Sequence, residues 1–356
     1  AEASQDGLLP GLLTTRALSG VAGANPDNAT DPIPEVYGGP YPPGTSPDGR
    51  QLITRRPVDN RYLEAMRLAQ ADGHAKSAWT PADAAAAGWT VSTDCNLTPL
   101  EMAATRLYVN CPGNPGFKKA NVILPLATDV IFNGIVSADN LDLPMAERVY
   151  VRGDWGAGVP TGFQVSPSFR MHHFGAATCS ETPTGNSANR AVFFLGGGQF
   201  KSSNTNALLQ MCNTTMIIGG GQVGSWLPGD AGEDPVDNAS TGRIQITGGS
   251  QDWTAPNSTS DASNQSLWDQ LEDLALWTEA YGDHTIAGGG SMHLSGVFML
   301  PEANPFNIKG GGLQDVDNSQ YIARKLNVTG GGTLTMMPNP NDVVTIPILG
   351  GFQMVR

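Results

Sequence analysis

The sequence predicts an all-β fold, a parallel β-helix or solenoid with coils of about 20 residues. Three observations predict it. Composition is the first. The 356 residues include 44 glycines, and only 15% are charged. Long amphipathic helices carry many Glu, Lys and Arg residues, so a mostly helical chain is disfavoured; Gly-, Asn- and Thr-rich chains are β-rich with many turns. The second is a recurrent short apolar segment that ends on glycine. "VIFN" precedes Gly134, "VYVR" precedes Gly153, "VFFL" precedes Gly196 and "TMII" precedes Gly219. "IQIT", "HTIA", "FNIK", "LNVT" and "IPIL" precede Gly248, Gly288, Gly310, Gly330 and Gly350. In each, the residue two before the first glycine is large and apolar, the alternation of a strand with one buried face. The third is spacing. These glycines follow one another by 19, 43, 23, 29, 40, 22, 20 and 20 residues.

A recurring step near 20 residues reads as one coil. The two steps near 40 read as a coil that lacks its marker or, for the second, as an insertion. In a solenoid the inward residues stack into an apolar column, and the bends call for a residue without a side chain. The nine glycines are therefore assigned as corners in one line up the column. An antiparallel β-sandwich with regular glycine turns is the competing architecture.

Residues 1–90 read as a Pro/Gly-rich extended arm with two short helices. "ANPDNATDPIPEVYGGPYPPGTSPDG" cannot form helix or central strand. "DNRYLEAMRLAQADG" reads as a helix capped by Asp59 or Asn60 and ended by Gly73. In "TPADAAAAG", Thr80 is the N-cap, Pro81 the first helical residue and Gly88 the stop. Residues 91–356 read as the solenoid. "SLWDQLEDLALWTEAYG" reads as a helical insertion at about 261–282, with Leu267, Leu271, Leu274 and Thr278 on one face and Gly282 at its end. "SMHLSG" and "VFML" give this coil more than one strand. The arm and small helices can cap one end of the column. The C-terminal "PILGGFQMVR" shows no cap, which leaves an open or partner-binding end.

The net charge of −13 argues against nucleic acid as a partner, since the basic pairs Arg55-Arg56 and Lys118-Lys119 stand isolated. No run of 18 apolar residues offers a membrane span. Cys95, Cys111, Cys179 and Cys212 form no Cys-x-x-Cys pair. Three connectivities are open to them. Pairing in sequence order closes two local loops, and four free thiols are the alternative. Scarce lysine and abundant Asn, Thr and Gly favour disulfides and an extracellular location.

Catalytic signals are weak. Gly219, Gly221 and Gly224 match a dinucleotide fingerprint, but Pro228 and Gly229 prevent the helix that the mechanism needs. His172 and His173 would face opposite ways on a strand, and surface or stacked positions are expected for the histidines. Glu233, Asp234 and Asp237, Asp315 and Asp317, and Asp139 and Asp142 are oxygen clusters that could take calcium. Asp139, Asp142, Asp154 and Arg152 are the carboxylates and arginine that a polysaccharide-cleaving β-helix would use. Exposed Trp155, Trp226 or Trp253 beside a groove would favour sugar binding. No catalytic residue, cofactor ligand or metal ligand is assigned.

"LEDLALWTEAYGDHTIAGGGSMHLSGVFMLPEANPFNIKGGG", "DNSQYIARKLNVTGGGTLTMMPNP" and the upstream "CPGNPGFKKANVILPLATDVIFNGIVSADNLDLP" carry a resemblance. Over roughly residues 95–356 the chain resembles secreted actinobacterial cell-envelope proteins associated with Tad/Flp-type pili, glycine-rich β-solenoids that usually follow an N-terminal membrane helix. The resemblance implies an extracellular structural or adhesive component of minor-pilin-like kind, acting through protein partners or self-assembly at the cell surface. A polysaccharide-binding or -cleaving β-helix is the alternative, with glycans as partners.

Overall fold

The computed structural model describes residues 12–13, 69–70, 72–112, 116–153, 161–182, 190–203, 207–219, 242–256, 271–278, 280, 282–300, 303–310, 314–315, 319–323 and 325–330. Among them the chain winds into a parallel β-solenoid. Every strand pairs in parallel with the strand of the next coil.

Each full coil has three faces. Face A holds Thr90–Ser92, Arg106–Asn110, Asp129–Asn133, Arg148–Val151, Ala191–Leu195, Thr214–Ile218, Leu274–Thr278, the second half of Met292–Leu300, and Ser319–Ala323. Faces B and C begin as the single strands Phe117–Ile123, Val136–Leu143 and Thr161–Met171. They then divide. Gln199–Ser203, Ile244–Thr247, Gly282–Gly288, Ala303–Gly310 and Leu326–Gly330 continue face B. Leu208–Met211, Ser250–Thr254, the first half of Met292–Leu300, and Gln314–Asp315 continue face C.

The expected coil length holds where no loop intervenes. Asn133 lies beside Asn110, 23 residues earlier, and Arg148 beside Asp129, 19 residues earlier. The 43-residue step between Gly153 and Gly196 is one enlarged coil, because Val151 pairs directly with Leu195. Its extra length includes the loop that leaves the sheet after Met171.

The glycines occupy two corners, not one line. Gly134, Gly153, Gly196 and Gly219 follow face A strands and turn the chain toward face B. Gly248, Gly288, Gly310 and Gly330 stand at the ends of face B strands, and the last three are in register with one another. Gly350 lies outside the described residues. At Gly153, where φ is +67°, a Cβ would stand 2.0 Å from the Gly197 carbonyl oxygen of the next coil. Coils approach there as bare backbone.

The helical insertion is overturned in its described part. Residues 274–278 are a face A strand with all five side chains buried, and Gly282 opens the next strand. A bulge breaks the alternation after Leu274: Ala275 and Leu276 face the inner core, whereas Leu274 and Trp277 lie in the outer apolar cluster. Two-sided burial makes both strand faces apolar, and such a run also satisfies a helical stripe. Residues 261–270 lie outside the described residues.

Gly73 does not end its helix, which runs through residues 72–77. A Cβ on Gly73 would stand 2.3 Å from the Phe194 ring, so the bare Cα lets the helix settle on face A. The second helix, Pro81–Ala86, forms as expected. Thr80 and Asp83 make a reciprocal capping box, and Gly88 follows with φ +77°.

The inner core is a continuous apolar stack. Phe163 stacks on Phe200 and meets Phe193 edge-on, each at 5.0 Å between centroids. Face A is also apolar outside. Tyr108, Ile131, Tyr150, Phe194, Ile217, Trp277, Met299 and Ile322 form one in-register column there, all buried. Residues 72–89 cover its first part. Tyr108 Oη donates to the Trp79 carbonyl (2.6 Å) and Tyr150 Oη to Asp72 (2.8 Å). At the other end, Leu12–Leu13 pair in parallel with Tyr321–Ile322 and add a strand to face A. No helix among the described residues is long and apolar enough to cross a membrane.

Two glycine variants separate steric approach from backbone strain. Gly88 has φ +77° and open space around it, so Gly88→Ala is expected to cost about 1–2 kcal/mol. Gly153→Ala adds a collision with neighbouring backbone and is expected to cost about 3 kcal/mol or more. Urea melts of the two variants measure the difference.

Candidate functional site

Parallel in-register stacking turns equivalent positions of successive coils into straight columns on the outer surface. On face C one such column is polar. Asp142 pairs with Arg170, Arg170 with Gln210, Gln210 with Asp252, Asp252 with His293, and His293 with Asp315. This is the sheet surface where a polysaccharide-cleaving solenoid would gather its carboxylates.

The side chains are bound to one another and to a loop. Arg170 Nε donates to Gln210 Oε1 (2.8 Å), and its Nη2 donates to the Ala176 carbonyl (2.8 Å). His173 Nδ1 accepts from the Gly175 amide (3.0 Å) and faces Arg170 Nη2 (3.0 Å), which leaves the proton on Nε2 for Asp142 (2.6 Å). Gln210 Nε2 also reaches the Ala176 carbonyl, at 3.2 Å. Asp252 accepts from the Cys179 amide (2.6 Å) with one oxygen and contacts His293 Nδ1 (2.8 Å) with the other. The loop after Met171 thus lies over the column, and the Cys179–Cys212 disulfide fixes it there. Cys95 and Cys111 form the second bridge. Both pairings are the sequence-order ones.

The two carboxylates of the column whose side chains are described do not assemble a glycosidase dyad. Asp142 and Asp252 are three strand steps apart, about 14 Å at roughly 4.8 Å per step. Paired glycosidase carboxyls stand about 5 to 9.5 Å apart. The other sequence candidates are dispersed. Asp139 is exposed beside a bulge in its strand. Arg152 lies past a face A strand, where its Nη1 donates to Asn133 (3.0 Å). Asp154, the glycine fingerprint beyond Gly219, the 233–237 acidic cluster, Asp317, Trp155 and Trp226 lie outside the described residues. Trp253 is fully buried. Among the described residues no three His, Cys, Asp or Glu side chains converge to hold a metal.

The histidines depart from the surface positions expected, and His74 and His172 each meet a phenylalanine ring edge-on. His74, His172, His173 and His284 are buried. His284 is buried and bridges two backbone groups. Its Nε2 donates to the Ala280 carbonyl (2.8 Å), and its Nδ1 accepts from the Ile244 amide (3.4 Å). Burial lowers its pKa to about 4. Burial likewise lowers His74, on the helix of residues 72–77, to about 4, where its ring meets Phe194 edge-on.

A second outward ladder lies on face A. Arg106, Asp129 and Arg148 are in register, with Asp129 buried between the two guanidiniums. Arg148 holds both Asp129 oxygens, one at 3.0 Å. Arg106 Nε is 3.7 Å from Asp129, and its side chain is 55% exposed. These residues floor a pocket of about 240 Å³ whose walls include Lys76, Trp79, Trp89 and Tyr150. Trp79 and Trp89 meet edge to face at 5.6 Å, and Lys76 Nζ lies 3.7 Å over the Trp79 ring. The sequence reading missed this group. The 23- and 19-residue steps that join Arg106, Asp129 and Arg148 were its available signal.

Fold and sites together define a disulfide-fastened parallel β-solenoid with a clamped polar face and an aromatic, cation-lined pocket. Comparison with protein-family models, curated proteins and solved structures finds no match.

His74 and His284 set an acid limit. Each binds its proton near pH 6.5 when unfolded and near pH 4 when folded. Between those values the unfolded chain holds more protons, so their contribution to stability is complete above pH 6.5 and is lost as pH falls toward 4. Neither ring nitrogen of His74 has a hydrogen-bond partner. His74→Leu is therefore expected to match the parent's melting temperature at pH 7 and exceed it at pH 4.5, read by thermal melts across that range.

Proposed function

We propose that this chain is an extracellular structural or adhesive component of a cell surface, a non-catalytic body of a pilus-associated or filamentous assembly. The observation that carries the reading is the pair of disulfides that fasten a long, self-stacked scaffold. Such bonds persist in oxidising compartments and are rare in reduced ones. The engaged state of Asp129, Asp142 and Asp252 supports a scaffold over a catalyst. So does the architecture: stacked coils make a rigid rod, and the edge of an end coil is a surface on which a further strand can pair. The resemblance to pilus-associated envelope solenoids points the same way.

A polysaccharide-cleaving reading keeps one foothold. His293 and Asp252 form a partly exposed pair on face C. Asp252 is held by the Cys179 amide as well, and its nearest carboxylate neighbour with a described side chain in the column is Asp142, beyond glycosidase reach.

Surface exposure is tested on intact producing cells. The chain is expected to be cleaved by added protease and to migrate as two-disulfide material without reductant. An intracellular, fully reduced chain overturns the reading. A second test addresses the end of the column. Removing residues 1–13 uncovers the edge of Ser319–Ala323, and light scattering is expected to show larger, concentration-dependent species than for the parent.

A further inference from the structure

We propose that the pocket between residues 72–89 and the first coils of face A binds a carboxylate-bearing sugar ring of an acidic polysaccharide. This deepens the surface reading and rests on it for where such a polymer would be met.

Four features converge. The first is size. The pocket of about 240 Å³ is smaller than the roughly 300–1,000 Å³ of drug-sized sites, and suits a single ring. The second is charge. Lys76, Arg106 and Arg148 line it against the one carboxylate of Asp129, a local cationic excess on a chain of net charge −13. The third is the state of those cations. Arg148 is committed to both oxygens of Asp129, whereas Arg106 touches Asp129 only at 3.7 Å and is largely exposed. Its planar fork retains donors for a second carboxylate, which guanidinium recognises bidentately. Lys76, held over the Trp79 ring, places a second cation at the rim.

The fourth is the aromatic wall. Trp79, one face of which lies under Lys76, and Trp89 form the wall with their rings at 72° to one another. Such rings offer large, rigid contact area to the apolar face of a pyranose at little entropic cost. Trp79 is held in place, because Tyr108 Oη donates to its carbonyl from the apolar column beneath. The floor is rigid sheet, so little ordering is required on binding. An uncharged sugar would use the aromatic wall and leave the Arg106 fork unpaired. A carboxylated one uses both.

Titration calorimetry on the purified full chain tests this with tetragalacturonate as the acidic probe and maltotetraose as the neutral one. Tetragalacturonate is expected to bind, maltotetraose not to bind, and added salt to weaken the acidic complex. The double variant K76Q R106Q, at positions that do not build the core, is expected to keep its melting temperature and lose about tenfold or more in affinity. Absence of tetragalacturonate binding, equal binding of maltotetraose, or unchanged affinity in the double variant overturns the proposal. Protease exposure on cells is read separately, so either result can fail without the other.

Discussion

In-register parallel stacking is the constraint on which the rest of this structure depends. Every strand hydrogen-bonds to the same stretch of the coil before and after it, so each position along a coil meets its own equivalent at about 4.8 Å. Side chains must tolerate their own kind. Inside, apolar residues do so readily, and phenylalanines from successive strands stack. At the corners, coils close to bare backbone contact, and a Cβ at Gly330 would fall 2.0 Å from the Gly310 carbonyl oxygen. Outside, amides satisfy the rule by donating to the amide below. Asn133 donates to Asn110 and Asn327 to Asn307, at 3.0 and 3.1 Å.

The same constraint explains what the sequence discloses. Repetition near 20 residues is visible because each coil must return to the same place, and small residues recur because the corners demand them. The number of corners was not visible. A glycine after "VIFN" and one after "FNIK" look alike, yet the first follows face A and the second closes a face B strand. Sidedness was hidden too. Phe132 and Val151 point into the core, while Phe194 and Ile217, at the same distance before their glycines, point outward. Face A is covered on its outer side, so alternation gives way to continuous apolar runs. "VFFL", "TMII" and "LALW" are such runs, and their continuity was the readable sign. In "LALW" it was also what allowed a helical reading.

The sites were less legible than the fold. Asp142, Arg170, Gln210, Asp252 and His293 are separated by intervals that match no motif, because loops of different length enter between their coils. Only strand register brings them together. For the disulfides, sequence order offered the pairing that closes the shortest loops but left two other connectivities and free thiols open; the structure selects the sequence-order pairs. The face A pocket was half accessible. Arg106, Asp129 and Arg148 repeat at the coil period, but nothing in their spacing shows that a helix from residues 72–77 would bring Lys76 and Trp79 to their side.

Charge in such a column has its own rule. Two like charges stacked at about 4.8 Å repel by about 3 kcal/mol at an effective dielectric constant near 20. A charged ladder must therefore alternate in sign or end. On face A it does both, running Arg106, Asp129, Arg148 and stopping at Val192. A ladder with three rungs cannot be neutral. Its odd count leaves one cation in excess, and Asp129 cannot satisfy both guanidiniums equally. Arg148 takes the bidentate geometry, and Arg106 is left exposed with unused donors. Lys76 then adds a second excess charge from a separate element. The cationic character of the pocket thus follows from ladder length and sign alternation, on a chain whose overall charge is strongly negative.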